Sequence, residues 1–424
     1  MDGKTKGSMV DRLGGSEVPV LGAGSSGRSV ERLLRARGMV PVLYDEKAEE
    51  TLREFRPGRG RHPFGVVSPG FAPDHPWRQR AERVGLPLLG EVELAASAWV
   101  GSLLCITGTN GKTSLTRFLE QALVLEGTSA RACGNIGDPF ADLAAEPGPC
   151  EWAVCEVSSF QLYDWQRPHA EAAIWTNFAE DHLDWHGSLA DYFGAKWRLV
   201  EAGMPVFAGA GVAAVAESLG YTIPENLVEV AGDPSNPPTR GIFSQNPYGE
   251  LYALAEAWWM QSGRDPAVLA EAALAFEPLP HRMEPVGSAG GRRFINDSKA
   301  TNFHAALAAC RSLDPPVHWI GGGSSKGVEL SGFAQEMAGR VVSADLFGAT
   351  ASDLARELAA LGMPVGVYET LEEAVRSAAR RSAAGSTVLL SPGFASFDQF
   401  SGYAERGERF RKCVKELSRG TELL

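Results

Sequence analysis

The sequence is short of paired cysteines, long apolar runs and positive charge, and each shortage closes off a class of protein. Its six cysteines, Cys105, Cys133, Cys150, Cys155, Cys310 and Cys413, contain no C-x-x-C pair. Two of them lie inside apolar runs, and the set fits buried thiols in a reducing cytoplasm. No run of about 18 apolar residues exists, so no membrane helix is expected. The opening stretch "MDGKTKGSMVDRLGGSE" is polar and lacks an apolar h-region, which argues against a secretory signal. The net charge is −12, the wrong sign for a nucleic-acid partner. Anionic ligands then have to be held locally, by loops and helix N-termini. There is no fixed-period repeat, no H-E-x-x-H and no clear Walker-B run ending in aspartate.

What is present is an ordinary globular chain. It has 424 residues, 44% hydrophobic and 22% charged, enough for two to four domains. Short apolar runs alternate with amphipathic stretches. Strands are expected at 18–21, 40–44, 64–67, 103–107, 152–157, 172–177, 293–297, 317–322, 344–348 and 387–393. Helical patterns such as "SVERLLRARG" and "LEEAVRSAARRSAAG" lie between them, the second closed by a glycine stop. Alternation of this kind predicts α/β architecture with parallel sheets. The Pro/Gly/Asn-rich stretch 232–250 reads as loop. Boundaries near 97 and 280 divide the chain into three α/β domains, 1–97, 98–280 and 281–424.

Two glycine loops follow expected strands. In the first, Gly22-Ala-Gly24-Ser-Ser-Gly27 opens a helix, and the next strand ends near Asp45. Glycines permit a tight turn and close backbone approach, the helix N-terminus suits a pyrophosphate, and an acid at Asp45 suits a ribose. Alone this pattern points to a dinucleotide such as NAD. It equally suits a tight turn that holds nothing. The second loop, "CITGTNGKTS", resembles a phosphate-binding loop but is short. The Walker pattern places a glycine where this chain has Ile106; the nearer glycine is Gly108. An apolar strand still feeds a glycine turn, then Lys112 and Thr113. Gly108, Thr109, Asn110, Gly111, Lys112, Thr113 and Ser114 are therefore candidates for a triphosphate, with the Thr113 hydroxyl available to Mg²⁺.

Acidic and histidine residues cluster beyond these loops. Glu156 ends the apolar run "WAVCEV", and carboxylates at the carboxyl edge of a sheet are where α/β folds present ligand groups. "TNFAEDHLDWHGS" adds Asn177, Glu180, Asp181, His182, Asp184 and His186. His182 and His186 stand four apart, but oxygen donors dominate, which favours Mg²⁺ over Zn²⁺. His182, beside Asp181, is the better ligand candidate. Lys196 in "DYFGAKWRLV" reads, on pattern alone, as a lysine on a solvated helix face.

"GTNGKTS", "GNIG" (134–137), "EVSSFQL", "TNFAEDHLDWHGS", "HRMEPV", "INDSKATN" (295–302) and "LSPGFASFDQF…ERGERF" occur in this order. Together they resemble the Mur ligases over nearly the whole chain. "INDSKATN" and "SPGFASFDQF" resemble the D-glutamate-adding branch. The resemblance implies a Rossmann-like N-terminal domain, a central ATPase domain and a C-terminal dinucleotide-fold-like domain. It implies that the first glycine loop holds UDP, lined by Gly24, Ser25, Ser26, Asp45, Ser68 and Gly70, with Asn135 near the reacting carboxylate. Lys112 and Thr113 would serve ATP and Mg²⁺. Glu156, His182 and Lys196, the last as a carbamate, would serve two Mg²⁺ ions. Arg282 and Asp297 would hold ATP. Lys299, Thr301, Lys326, Ser396 and Phe400 would surround D-glutamate.

Two departures stand out. The loop at Lys326 is "GGGSSKG" rather than a Gly-Gly-Asp-Gly-Lys type, and the adenine stretch reads "QNPYGELYA". The implied activity is ATP-driven amide formation between UDP-N-acetylmuramoyl-L-alanine and D-glutamate by a cytoplasmic monomer. The catalytic set is Lys112, His182, Lys196 and Asn135. The alternatives are another Mur ligase, a folylpolyglutamate synthase-like enzyme, a non-catalytic nucleotide-binding regulator, and a P-loop kinase or GTPase. "GAGSSG" with "SPG" (68–70) argues against the synthase, and the absence of Asp-Asn-Pro-Arg against a diaminopimelate-adding ligase. Intact Lys112, Glu156, His182 and Lys196 argue against the regulator. The short loop argues against the kinase or GTPase.

Overall fold

The structure is a computed structural model that describes residues 14–47, 51–146, 148–230, 234, 237–324 and 329–420. Three sheets carry the chain. The first contains β1 (Glu17–Leu21), β2 (Val40–Tyr44), β3 (Gly65–Val67) and β4 (Leu88–Gly90), in the order β2-β1-β3-β4 and all parallel. The second contains β5 (Ser102–Thr107), β6 (Ala130–Gly134), β7 (Trp152–Glu156), β8 (Ala172–Trp175), β9 (Val206–Gly209) and β10 (Leu227–Val230). Its order is β10-β9-β8-β5-β7-β6, again all parallel. The third contains β11 (Glu284–Ala289), β12 (Arg292–Asn296), β13 (Val317–Gly321), β14 (Ser343–Phe347), β15 (Val365–Tyr368) and β16 (Thr387–Leu390). Its order is β11-β12-β16-β13-β14-β15, and only the β11–β12 hairpin is antiparallel. The expected α/β class is therefore observed, with one antiparallel edge strand that the sequence reading did not anticipate.

The elements form for local reasons. Helix Ser25–Ala36 buries Val30, Leu33 and Leu34, an i, i+3, i+4 stripe, against its sheet. Helix Leu371–Arg381 starts from a capping box made by Thr370 and Glu373 and ends on Arg380 and Arg381, which complement the helix dipole. The central strands are buried on both faces, so β7 and β8 read as nearly unbroken apolar runs. The stretch expected as loop at 232–250 holds a short 3-10 turn at Ile242–Ser244, and helix Tyr248–Gln261 begins inside it.

The described chain falls into two compact units. One takes residues up to Phe243 with Tyr248–Phe276; the other takes Ser244–Pro247 and everything from Glu277 on. The first unit contains two sheets because they share a core. A single cluster joins Val18, Val20 and Val66 of the first sheet to Leu103, Cys105 and Ala153 of the second through Val92, Leu94 and Phe140. In the other unit, separate cores lie on opposite faces of one sheet. Trp319, Leu346 and Leu389 pack against Phe333 and Leu354 on one side; Ile320, Val388 and Leu390 pack against Val375 and Phe410 on the other. No helix among the described residues is long and apolar enough to cross a membrane.

Strand order decides where ligands can enter. In an open parallel sheet the crevice lies beyond the carboxyl ends of the neighbouring strands whose onward connections run in opposite directions. In the first sheet these are β1 and β3, and in the second β5 and β7.

Candidate active site

In the second sheet, β5 runs through Ile106 to Thr107, and helix Lys112–Leu125 begins five residues later. Ile106 is fully buried and pairs with Glu156 on one side and Ile174 on the other. The position where the Walker pattern has a glycine is thus still strand. The turn itself is Gly108–Gly111. Gly108 has φ +138°, and a Cβ there would lie 1.9 Å from Thr176 Oγ1, so only glycine fits.

The segment after β8 braces the turn. Thr176 Oγ1 donates to the Asn110 carbonyl (2.6 Å), and Asn177 Oδ1 accepts from Asn110 N–H (2.9 Å). Thr109 N–H donates to the Asn177 carbonyl (3.0 Å). Lys112 Nζ folds over the turn onto the carbonyls of Gly108 and Thr109, both at 2.9 Å. The helix N-cap, Gly111, offers no side-chain acceptor to the first turn. The exposed dipole end and Lys112 together suit a polyphosphate.

Glu156 ends β7 between Ile106 and Gly134 of the neighbouring strands. It is 2% exposed. Asn135 Nδ2 donates to its Oε1 at 2.8 Å, and Asn135 N–H donates to its carbonyl at 2.8 Å. Glu156 Oε2 is buried with no hydrogen-bond partner among the described residues. An anionic oxygen left alone in a protein interior is costly, so this atom can accept a cation or a hydrogen-bond donor. Among the described residues no three His, Cys, Asp or Glu side chains converge tightly enough to hold a metal by themselves. That suits Mg²⁺, which takes one or two protein oxygens and completes its shell from phosphate and water. The Glu156 carboxylate is an oxygen donor of the kind such an ion takes.

Burial corrects the reading of Lys196 made on pattern alone. Lys196 is 1% exposed, not on a solvated face. Helix Leu189–Glu201 also buries Tyr192, Phe193, Ala195, Trp197, Leu199 and Val200, so apolar contacts surround most of it. Lys196 Nζ donates to the Gly108 carbonyl (3.0 Å) and Thr107 Oγ1 (3.3 Å) and lies 5.0 Å from the Tyr192 ring centre. Burial holds its pKa well below the usual lysine value, and the nearby Lys112 cation acts the same way.

His182 takes a left-handed conformation (φ 54°) at the start of helix Leu183–His186, and its backbone N–H donates to Asp181 Oδ1 at 2.9 Å. Its ring is 42% exposed and its centre lies 4.8 Å from that of Phe160. His186 differs. It is buried, Nε2 meets Ser159 Oγ at 2.9 Å, and burial lowers its pKa to about 4. It packs as a neutral ring on Phe160. Tyr192 was missed by the sequence reading. Its hydroxyl contacts Thr109 Oγ1 at 3.0 Å, tying the phosphate turn to the Lys196 helix. Its spacing from Lys196, i and i+4, was the available signal.

The first sheet gathers its candidates at the β1/β3 crevice. Gly24 caps helix Ser25–Ala36 without a side-chain bond, leaving the first-turn N–H groups toward Ser25 and Ser26. Asp45, after β2, accepts from Ala23 N–H at 2.8 Å. Ser68 follows β3, and Gly70 lies in the turn closed by Phe71 N–H on the Ser68 carbonyl (3.1 Å). A Cβ on Gly27 would stand 1.9 Å from the Gly22 carbonyl oxygen, which explains the third glycine of the pattern as a packing requirement.

In the other unit, Asp297 follows β12. It accepts from Met283 N–H (3.1 Å) and Ser391 Oγ–H (2.8 Å), and burial pushes its pKa up to about 7 against the pull of those two bonds. Arg282 sits between two residues with positive φ, His281 and Met283. Lys299 Nζ lies 4.2 Å from the Tyr403 ring centre, and Thr301 lies in the same loop. Ser396 is buried beyond β16, next to Ala395, which bridges to Ser324 after β13. Phe400 is half-buried against the core that includes Phe347. Lys326 lies outside the described residues. Just before it, Ser324 Oγ is buried with no partner among the described residues.

Arg406 was not singled out from sequence. It is fully buried and donates to Ser298 Oγ (3.0 Å), the Ser298 carbonyl (2.8 Å) and the Phe394 carbonyl (3.0 Å). It thereby clamps the Lys299 loop to the Ser396 loop. Its place on the apolar stripe of Phe410, Cys413 and Leu417 was the missed signal.

Residues 106–207 match the Mur ligase middle domain, and residues 281–394 match the Mur ligase glutamate ligase domain. The chain belongs to the Mur ligase family and is an ATP-using ligase. A relative from Gloeobacter violaceus named UDP-N-acetylmuramoylalanine--D-glutamate ligase is 36% identical over 437 residues, covering 95% of this chain and 99% of the relative. One of the same name from Mycobacterium avium is 36% identical over 483 residues, covering 96% and 97%. Among solved structures, MurF ligase from Thermotoga maritima in complex with ADP superimposes with TM-score 0.59 at 14% identity, covering 97% of each chain. That likeness concerns the fold.

Proposed function

We propose that the protein joins D-glutamate to UDP-N-acetylmuramoyl-L-alanine at the expense of ATP, as a cytoplasmic monomer of peptidoglycan precursor synthesis. The observation that carries the reading is the β5/β7 crevice, where Lys112, Lys196 and a Glu156 oxygen with no hydrogen-bond partner among the described residues meet beside Asn135. The full-length relatives of that name support the choice of substrates. Three functional domains, 1–97, 98–280 and 281–424, would hold UDP, ATP and the amino acid.

The alanyl carboxylate attacks the γ-phosphorus of ATP, the bond to the bridging oxygen breaks, and ADP leaves. This converts oxide, which cannot depart, into phosphate, which can. The D-glutamate amine then attacks the acyl carbon. Phosphate leaves with the bonding pair, and the amine gives up its proton. Lys112 neutralises charge on the transferring phosphoryl group. Thr113, Glu156, His182 and a carbamate on Lys196 would hold two Mg²⁺ ions, which supply further charge neutralisation when bound. Asn135 orients the reacting carboxylate and holds Glu156 in place. Carbamate formation balances simply: the neutral Lys196 amine adds to CO₂, an N–C bond forms and one proton is released. Ser25, Ser26, Asp45, Ser68 and Gly70 hold the UDP end. Arg282 and Asp297 serve ATP. Lys299, Thr301, Lys326, Ser396 and Phe400 receive D-glutamate, whose two carboxylates need cations and hydroxyl donors.

Phosphate release measured with each substrate omitted in turn tests this. Release is expected only with UDP-N-acetylmuramoyl-L-alanine, D-glutamate and ATP together; equal turnover with L-lysine or L-glutamate would overturn the substrate assignment. Protein equilibrated with ¹³C-bicarbonate should show a carbamate carbon signal that is missing in Lys196→Ala.

A further inference from the structure

One pair of side chains joins the first sheet's crevice to the second's. Arg78, on helix Pro76–Arg83, forms two parallel bonds to Asp164, Nη1 to Oδ1 at 2.6 Å and Nη2 to Oδ2 at 2.7 Å. Its third donor, Nε, bonds the Phe71 carbonyl at 2.9 Å. The two side chains are 10% and 6% exposed.

Each end of this link reaches a crevice. Phe71 closes the turn that contains Ser68 and Gly70, and its ring lies against Gly22, where the first glycine loop begins. Asp164 follows helix Ser159–Tyr163, which starts just after Glu156 and β7. The Asp164 carbonyl also accepts from Gly90 N–H at 3.2 Å. A second tie runs alongside: Glu91 Oε1 accepts from Ala141 N–H at 2.7 Å, at the exit of the Asn135 loop. All these residues lie in one compact unit with a shared core.

We propose that Arg78 and Asp164 are a positioning pair that fixes the distance between the crevice for the nucleotide end of the substrate and the crevice at Glu156. This deepens, and rests on, the reading that a UDP-sugar spans both. A planar guanidinium held at three points to a carboxylate and a carbonyl resists both rotation and sliding, which a lysine in its place would not. The substrate is long, and its carboxylate must meet the γ-phosphorus within a fraction of an ångström to react. A rigid separation would therefore act as a ruler for substrate length.

The test compares Arg78→Lys and Asp164→Asn with wild type, using UDP alone and UDP-N-acetylmuramoyl-L-alanine as probes. UDP fills only one crevice, so its affinity should stay within about twofold, and so should KM for ATP. The complete substrate should lose about 10- to 100-fold in kcat/KM. Circular dichroism and thermal melting identify any variant that has unfolded, and the other variant then decides. Equal loss for UDP and the full substrate would mean that the pair merely builds the UDP loop, and would overturn the inference. Unchanged kcat/KM in both variants would also overturn it. Wild-type protein that fails to turn over the full substrate with D-glutamate overturns the substrate reading itself, a separate and recognisable result.

Discussion

Glu156 and Asp297 are both carboxyl groups buried at the carboxyl end of a parallel strand, one in each compact unit. They differ in how their oxygens are used. Glu156 has one oxygen bonded by Asn135 and one with no partner among the described residues. Asp297 has both oxygens bonded, by Met283 N–H and Ser391 Oγ–H. The Asp297 carboxyl already braces the backbone around it, and each oxygen keeps acceptor capacity for a ligand. The Glu156 carboxyl has one oxygen that a further donor or a cation would satisfy. Equal burial therefore does not mean equal role.

The largest effect that separates the two is on turnover. Glu156→Gln should lower kcat by about 10²- to 10³-fold, the scale of losing one electrostatic contact to a transition state. Its melting temperature should hold or rise, because a buried charge is removed. A variant that is active and destabilised would make Glu156 a structural group. Lys196→Ala should lose activity on the same scale, and short carboxylic acids should restore part of it by supplying the missing oxygens.

A smaller effect is expected in the stability of the unit that holds Asp297. Its carboxyl titrates near 7 in the folded protein against 3.8 as the ordinary value. A raised acid pKa means that the folded state prefers the protonated form. Its contribution is complete below about pH 4 and is lost as pH rises through about 7. Melting curves between pH 4 and 8 should show this decline in wild type and a flatter profile in Asp297→Asn, which should cost about 1–3 kcal/mol at low pH through its altered bond to Ser391. An identical slope in both proteins would remove Asp297 from the account. The smallest effect concerns histidines. His186→Gln should change stability by about 1 kcal/mol and leave turnover nearly intact, whereas His182→Ala should slow it clearly.

The strands and glycine loops were legible because their signals are local. An apolar run such as "LLCIT" ends in glycine, and the next residues cannot continue a strand. β4, β6, β9, β10, β11 and β15 escaped notice because they are short, at sheet edges or rich in alanine and glycine, which leaves weak periodicity. Lys196 was misread on pattern for a clear reason. Amphipathic spacing assumes one wet face, and this helix has apolar or site contacts nearly all round. Arg406 was invisible for the converse reason, a charged residue on an otherwise apolar stripe.

The sequence by itself determined the α/β class, the two glycine turns, the order of the family's motifs and the residue types available for phosphate and metal. These follow from neighbours along the chain, where spacing and backbone stereochemistry act directly. Only the tertiary structure decided that β5 lies between β7 and β8, so that Glu156, Asn135, Lys112 and Lys196 share one crevice. It alone decided that Glu156 keeps an oxygen with no hydrogen-bond partner among the described residues, that Lys196 is buried, and that Arg78 grips Asp164 across 86 residues of sequence. Strand order and burial depend on how whole faces pack, and no short stretch of chain carries that information.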